Sequence, residues 1–209
     1  MNLSNFAQKI DHTLLRPDAT EAQIRKLCEE ANQYKFASVC VAPCWESIAR
    51  PLVHNLCIVS DFPHGNCSIK IPRMLSSVDE IDYVINIGFV KSNMQFAIEE
   101  NIRTMREMSG NKIAKCIVEV GYLTDEELFK IADLLIKHKI DFIKTCTGYG
   151  PRDVTVEDII KIKKHVGDRI KIKASGGIRT AEFARQLIEA GSDRIGTSSS
   201  VSIMKEIQS

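Results

Sequence analysis

The stretch DFIKTCTG, residues 141–148, predicts a short apolar strand that ends in a lysine, followed by hydroxyl side chains and a glycine. Burying an unpaired ammonium group is costly, so lysine is an unusual residue for such a strand. A lysine buried beside a second cation loses its proton more easily, and the neutral amine can attack a carbonyl group. The candidate for the second cation is Lys173, in the stretch RIKIKASGG at residues 169–177. We therefore predict that Lys144 and Lys173 lie side by side on neighbouring parallel strands, and that Lys144 forms a Schiff base.

The composition is typical of a globular protein, with 26% charged and 44% apolar residues. A chain of 209 residues fits one domain, and we expect residues 1–209 to form it. The net charge of +1 gives no reason to expect nucleic acid or an anionic membrane as a partner. No apolar run approaches the roughly 18 residues of a membrane helix, and the amino terminus lacks a signal-peptide pattern. We expect a cytoplasmic protein.

The chain has seven cysteines, and an odd number argues against a disulfide framework. Cys40, Cys57 and Cys116 fall within apolar, strand-like runs, where cysteine behaves as a small hydrophobe. A reducing cytoplasm fits this usage. Cys40 and Cys44 are close enough in sequence for zinc ligation, but no matching His/Cys pair follows them. We therefore predict no metal site.

Strand-like and helix-like stretches alternate along the chain. Capping-box patterns at Thr20, Thr124 and Thr155 predict helix starts, and Thr180 opens another helix. A further helix is predicted from Lys91 to Ser109, one within Ser68–Glu80 and one over Val201–Ile207. The eight predicted strands are Ile10–Leu15, Ala37–Ala42, Leu56–Phe62, Ile81–Gly88, Ile113–Val120, Asp141–Thr145, Ile170–Ala174 and Asp193–Thr197.

Eight strands alternating with helices predict a single (β/α)₈ TIM barrel of the α/β class. The alternative is an open doubly wound sheet, which usually carries a glycine-rich turn after its first strand. The strand Ile10–Leu15 instead runs into Arg16-Pro17-Asp18. Because barrel enzymes carry their chemistry at the carboxyl ends of the strands, we expect the functional residues there.

Alternate residues of a strand face opposite sides, so parity selects the side chains that point into the barrel. Lys171 shares the parity of Lys173, and we expect it to reach solvent at the amino end of its strand. The charged residues selected in this way could instead form a purely structural ion network, or the parity could be wrong by one residue on a strand. The predicted inward set is Asp82, Lys115, Glu119, Lys144 and Lys173.

Two loops near the end of the chain predict a phosphate site. Gly176-Gly177 follows one strand, Gly196-Thr197-Ser198-Ser199 follows the last, and both lead into helix starts. Free backbone N–H groups beside a helix N-terminus bind phosphate, and barrel enzymes often bind it after strands seven and eight. Arg179 is close enough in sequence to contribute. Either loop alone is equally consistent with an ordinary turn or helix cap.

Stretches distributed over nearly the whole chain resemble the deoxyribose-phosphate aldolase family. The motifs KTxTG and KxxGGxR together are specific, whereas either alone is only suggestive. The matching stretches, in the family's order, are Ile10–Leu15, Val39–Pro43, Phe62–Asn66, Glu80–Gly88, Lys115–Glu119, Leu123–Glu126, Phe142–Gly148, Lys173–Arg179 and Arg194–Ser199.

The resemblance implies a class I aldolase that interconverts 2-deoxy-D-ribose 5-phosphate with D-glyceraldehyde 3-phosphate and acetaldehyde, without metal or other cofactor. It implies that Lys144 is the Schiff-base lysine, that Lys173 activates it, and that Asp82 takes part in proton transfer. A homodimer is plausible from the family. The predicted substrate-binding residues are Thr13, Cys40, Lys115, Thr147, Gly148, Gly176, Gly177, Arg179, Gly196, Ser198 and Ser199. We further expect Lys115 to hold Asp82 in place and Glu119 to balance the lysines.

The chain departs from the family pattern in three ways. The segment between Pro63 and Asp82 is shorter, Cys146 stands where the family usually has serine, and the last tyrosine is Tyr149, so no C-terminal tyrosine can transfer protons. From its parity, we expect Cys146 to face inward near Lys144. Two alternative functions remain: a related Schiff-base aldolase acting on another phosphorylated sugar, and a catalytically silent barrel that binds a sugar phosphate.

Overall fold

The computed structural model describes residues 3–66 and 77–208. Eight parallel strands follow one another around a closed barrel, and the first strand pairs with the last. The predicted (β/α)₈ barrel is therefore confirmed. The strands are β1 (Ile10–Leu14), β2 (Ser38–Val41), β3 (Leu56–Ser60), β4 (Glu80–Val84), β5 (Ile113–Ile117), β6 (Phe142–Lys144), β7 (Lys171–Ser175) and β8 (Arg194–Thr197).

Helices surround the barrel and alternate with its strands. Short 3₁₀ helices over Pro43–Trp45, Arg50–Leu52 and Val120–Tyr122 also lie in the described connections. The α-helices are α1 (Leu3–Ala7), α2 (Glu21–Tyr34), α3 (Glu46–Ala49), α4 (Ile87–Lys91), α5 (Gln95–Ser109), α6 (Asp125–Lys137), α7 (Val156–Val166), α8 (Ala181–Glu189) and α9 (Ser200–Gln208).

The helix starts predicted at Thr20, Thr124, Thr155 and Thr180 are confirmed. Thr20, Thr124 and Thr155 each accept a hydrogen bond from the backbone N–H three residues on, and the side chain at that position returns the bond. Thr180 accepts from the N–H of Phe183 at the start of α8. Each cap satisfies N–H groups that the first helical turn leaves without a partner.

The connection between β4 and β5 differs from the prediction. β4 ends at Val84, and Asn86 caps a separate short helix by accepting from the N–H of Phe89 at 2.9 Å. The predicted helix Lys91–Ser109 is consequently wrong at its start, because α5 begins only at Gln95. Asparagine favours a helix cap over a strand interior, which explains the early end of β4. Most of the helix predicted within Ser68–Glu80 lies outside the described residues.

The hydrophobic core lies between the barrel and its helices. In α6 the buried residues recur at three- and four-residue steps, as an amphipathic helix requires, and they are Leu128, Ile131, Ala132 and Leu135. The outward faces of the strands supply the other half of this layer. Within the barrel, by contrast, charged side chains are fully buried. Among the helices described, none has the length and apolar character needed to cross a membrane.

Leu135 tests the packing between barrel and helices. Leu135→Ala removes a side chain with no exposed surface, and we expect it to lower the free energy of unfolding by about 2–5 kcal/mol. Lys130→Ala, on the exposed face of the same helix, is the control and should change it by less than about 0.5 kcal/mol. Denaturant titrations followed by circular dichroism measure both. Equal effects of the two substitutions would contradict this packing.

Candidate active site

The strand register brings the predicted charged residues together inside the barrel. Lys144 on β6 is paired with Lys173 on β7, as the sequence predicts. Asp82 on β4 is paired in the same way with Lys115 on β5. All four side chains are buried. Lys171, at the amino end of β7, is exposed, which confirms the expectation that it reaches solvent.

Asp82 lies at the centre of this group. One carboxylate oxygen, Oδ1, accepts a hydrogen bond from Lys115 Nζ at 2.7 Å. The other oxygen, Oδ2, accepts from both Lys144 Nζ and Lys173 Nζ, each at 2.8 Å. A single carboxylate therefore joins three strands, and the two lysines at the carboxyl end share one oxygen atom.

A further set of charges lies towards the amino ends of the strands. Asp11 is 2.5 Å from Lys173 Nζ, and Glu80 is 2.5 Å from Lys115 Nζ. Arg194 contacts Asp11 at 2.5 Å and Glu80 at 3.1 Å. The inward set predicted from the sequence missed these residues. Parity was a usable signal for two of them, since Asp11 lies two residues before Thr13 and Glu80 two residues before Asp82.

The pKa values of the cluster follow from its ion pairs. Burial alone would raise the pKa of Asp82, but Lys115, Lys144 and Lys173 outweigh it and hold that pKa well below its usual range. Burial alone would lower the pKa of Lys173, but the carboxylates of Asp11 and Asp82 hold it well above its usual range. The pKa of Lys115 is raised in the same way, against burial, by Asp82, Cys57 and Glu80. Asp82 is consequently ionised at neutral pH, and Lys115 and Lys173 are protonated.

The predicted placement of two other residues is wrong. Glu119 does not balance the lysines: β5 ends at Ile117, Glu119 adopts a left-handed backbone with φ of 52°, and its carboxylate accepts from the N–H of Thr147 at 3.0 Å. Cys146 does not face Lys144, since it packs in the outer core against the loop at Gly176. In both cases the strand ends before the residue in question, so parity no longer fixes its direction.

A cavity of about 260 Å³ opens above the lysine cluster at the carboxyl ends of the strands. Lys144 lines this cavity, whereas Lys173, Lys115 and Asp82 are sealed beneath it. Cys40 is likewise buried and lies outside the lining, as does the half-buried Ser199. The other predicted residues in the lining are Thr13, Thr147, Gly148, Gly176, Gly177, Arg179, Gly196 and Ser198.

The loop after β7 requires both of its glycines. Gly176 and Gly177 have φ values of 99° and 71°, in the region that side chains disfavour. A β-carbon on Gly176 would lie 2.8 Å from that of Cys146, and one on Gly177 would overlap the carboxyl group of Asp153. Glycine at both positions therefore lets the loop pack closely against Cys146 and Asp153. Asp153 also lines the cavity, but it was not predicted from the sequence to do so.

His12 links the start of α9, after β8, to helix α2. This structural role was not predicted from the sequence. Its Nδ1 lies 2.9 Å from Ser200 Oγ and its Nε2 lies 2.9 Å from Glu30 Oε2. Burial lowers the pKa of His12 despite the opposing effect of Glu30. Ser200 begins α9, so a neutral imidazole fixes the helix start that follows the predicted phosphate loop.

Several curated proteins resemble this chain over nearly its full length. The deoxyribose-phosphate aldolase of Methanocella arvoryzae is 46% identical, with 98% of this chain and 96% of the relative covered. That of Dictyoglomus turgidum is 42% identical, with 98% of each chain covered. The chain belongs to the deoxyribose-phosphate aldolase family. None of the protein-family models matches it.

Solved structures agree with this family assignment. A putative deoxyribose-phosphate aldolase from Coccidioides immitis superposes with a TM-score of 0.95 at 30% identity, covering 100% of this chain and 88% of the other. A deoxyribose phosphate aldolase from Aeropyrum pernix, described as tetrameric, superposes with a TM-score of 0.90 at 27% identity, covering 100% and 93%. The family and the fold expected from the sequence are therefore confirmed.

Arg194 tests the balance of charge at the amino end of the cluster. Arg194→Ala leaves Asp11 and Glu80 without their shared guanidinium group, and we expect the free energy of unfolding to fall by about 3–5 kcal/mol. Arg185→Ala on the exposed face of α8 is the control and should change it by less than about 0.5 kcal/mol. Denaturant unfolding at neutral pH measures both. A loss at Arg194 no larger than that at Arg185 would contradict this role.

Proposed function

We propose that this member of the family cleaves 2-deoxy-D-ribose 5-phosphate reversibly to D-glyceraldehyde 3-phosphate and acetaldehyde through a Schiff base on Lys144. One observation supports Lys144 as the reacting lysine. Lys144 contacts the Asp82 carboxylate and also lines the cavity, whereas Lys173 and Lys115 have no exposed surface. Of the three lysine amines in the cluster, that of Lys144 is the one a sugar aldehyde can reach.

The proposed reaction begins with attack of the Lys144 amine on the C1 aldehyde, and loss of water then gives an iminium ion. The positive nitrogen accepts the electron pair of the C2–C3 bond as that bond breaks. The C3 hydroxyl loses its proton, and D-glyceraldehyde 3-phosphate leaves. The remaining enamine gains a proton at carbon, and hydrolysis of the new imine releases acetaldehyde and the free amine.

Lys173 acts in this proposal as a fixed cation beside the nucleophile. It shares Asp82 Oδ2 with Lys144, and its own charge is held by Asp11. Nucleophilic attack requires an uncharged amine, and a fixed neighbouring cation is a general means of favouring that form. Lys115 acts one step further away, because it orients Asp82 and contacts neither the cavity nor Lys144.

Asp82 is the proposed proton-transfer residue. Its Oδ2 is 2.8 Å from the reacting nitrogen, which places a base directly beside the bonds that change. A carboxylate whose pKa is held so low does not retain a proton for long. We therefore assign it a relay role, in which a water molecule passes protons between the C3 hydroxyl, the enamine carbon and this carboxylate.

The phosphate group is proposed to bind at the two loops that follow β7 and β8. Both loops line the same cavity as Lys144, and they lead into the N-termini of α8 and α9. Backbone N–H groups and the helix dipoles favour an anion there. Arg179 lines the same cavity and supplies the positive side chain.

Borohydride trapping with acetaldehyde tests the nucleophile. Reduction of the imine leaves an ethyl group on the reacting lysine, and peptide mass spectrometry locates it. We expect the adduct on Lys144 in the native protein and none at this position in Lys144→Arg, which keeps a positive charge. An adduct on Lys173 would reverse the two roles. Absence of any adduct would favour the silent sugar-phosphate-binding barrel.

Arg179 tests the phosphate site. Arg179→Ala should lower kcat/KM for 2-deoxy-D-ribose 5-phosphate by about tenfold, as expected for the loss of one hydrogen bond to a charged group. The unphosphorylated sugar is the matched control, and its kcat/KM should not change. An equal effect on both substrates would show that Arg179 acts on the fold or on the chemistry. A panel of other phosphorylated sugars separates the proposed substrate from that of a related Schiff-base aldolase.

We also propose a homodimer and a cytoplasmic location. Six cysteines within the described ranges are free thiols, which fits a reducing compartment. The relative from Aeropyrum pernix is described as tetrameric, so a tetramer is the competing assembly. Light scattering during size-exclusion chromatography distinguishes a dimer from a monomer or a tetramer.

A further inference from the structure

Two cysteines lie inside the barrel beside the proposed catalytic carboxylate. Cys40 on β2 and Cys57 on β3 are register partners on neighbouring strands, and both are fully buried. Cys57 Sγ is 3.1 Å from Asp82 Oδ1. The two sulfur atoms and a carboxylate oxygen of Asp82 all lie within 4.8 Å of one another. The mechanism proposed above uses neither sulfur atom.

We propose that Cys40, Cys57 and Asp82 form a binding site for a thiophilic divalent cation such as Zn²⁺ or Cd²⁺, and that the bound ion inhibits the aldolase. The ion is not a cofactor of the reaction. It would take the Oδ1 oxygen of Asp82, which Lys115 uses to hold that carboxylate.

The donor set determines which ions fit. Two thiolates and one carboxylate match the tetrahedral preference of Zn²⁺, with water completing the coordination. Thiolates also select soft ions over Mg²⁺ and Ca²⁺, which take oxygen ligands. The separation of 3.1 Å between Cys57 Sγ and Asp82 Oδ1 is close to what two ligands of one ion require, and Cys40 Sγ lies within 4.8 Å of both atoms.

Charge balance permits a cation among these lysines. Each thiol coordinates as a thiolate, so binding of M²⁺ to two thiols releases two protons and leaves the net charge of the cluster unchanged. Lys115 is the residue that must move, because its Nζ lies 3.4 Å from Cys57 Sγ and 2.7 Å from Asp82 Oδ1. Glu80 already contacts the same Nζ at 2.5 Å and can keep it paired. Lys144 and Lys173 use the opposite oxygen of Asp82.

The pair of thiols makes this position different from the other described cysteines. Cys28, Cys116 and Cys146 lie in the outer core between barrel and helices, and Cys44 is exposed at the surface. Cys44 provides a matched control, since Cys44→Ser removes one thiol far from the barrel interior. The inhibition part of this proposal rests on the proposed role of Asp82, whereas the binding part does not.

The test uses the full-length chain, first treated with a chelator and then titrated with Cd²⁺. Cadmium–thiolate bonds add an ultraviolet absorption band that reports sulfur ligation independently of activity. We expect one tightly bound ion per chain in the native protein and in Cys44→Ser. Cys57→Ser should weaken binding by at least about tenfold, because changes even in the outer shell of a metal site cost 10–100-fold. Mg²⁺ should give no signal.

Aldol cleavage is measured in parallel, with each variant compared to its own metal-free rate. We expect Cd²⁺ to inhibit the native protein and Cys44→Ser at the concentration that produces the absorption band, and a chelator to restore the rate. Binding of Cd²⁺ without inhibition would overturn the proposed inhibitory role but would still support the metal-binding site. If the metal-free protein is inactive but its Cd²⁺ absorption band still depends on Cys57, the result would count against the proposed function and not against the metal site.

A measurement on the native protein avoids reliance on a variant that fails to fold. X-ray absorption at the zinc edge counts sulfur neighbours of bound Zn²⁺, and we expect two sulfur atoms together with lighter ligands. A shell of nitrogen and oxygen atoms only would overturn the site. So would equal Cd²⁺ binding by folded Cys57→Ser and the native protein.

Discussion

The carboxylate of Asp82 is the constraint on which the interior of the barrel depends. It accepts hydrogen bonds from three buried lysines on three strands. Without it, those ammonium groups would lie in a low-dielectric interior without sufficient compensation. Asp11 and Glu80 supply two further carboxylates from the amino end, and Arg194 joins those two. The barrel therefore holds a network of charge where most barrels hold layers of branched apolar side chains.

This network makes two chemically identical lysines unequal. Lys173 is enclosed between Asp11 and Asp82, with no exposed surface, so its charge is fixed by its partners. Lys144 has only Asp82 as an ion-pair partner among the described residues, and its other side faces the cavity. The two lysines thus lie on neighbouring strands and differ by one carboxylate partner. That difference separates a buried, charged lysine from an amine that a substrate can reach.

The sequence allowed prediction of the barrel and of the four central charges, because strand parity holds for residues that lie within a strand, Lys144 at the end of β6 included. Parity failed for residues that lie beyond the strand ends. Glu119 and Cys146 follow the last residues of β5 and β6, and their directions are set by loop geometry that the sequence pattern does not encode. Glu80 was missed because the predicted strand began at Ile81. Arg194 was missed because a long side chain at a strand start can turn either to solvent or inward.

The raised and lowered pKa values both stabilise the folded protein at neutral pH, and they make stability depend on pH in opposite directions. Asp82 has a folded pKa below its ordinary value of 3.8, so its contribution is present above that value and is lost as the pH falls towards the folded pKa. Lys173 has a folded pKa above its ordinary value of 10.5, so its contribution is present below that value and is lost only as the pH rises through the folded pKa. Both charges are therefore constant across neutral pH. The Asp82 carboxylate is consequently negative before a substrate binds, and preorganised charge of this kind needs no rearrangement when positive charge develops on the adjacent nitrogen of Lys144.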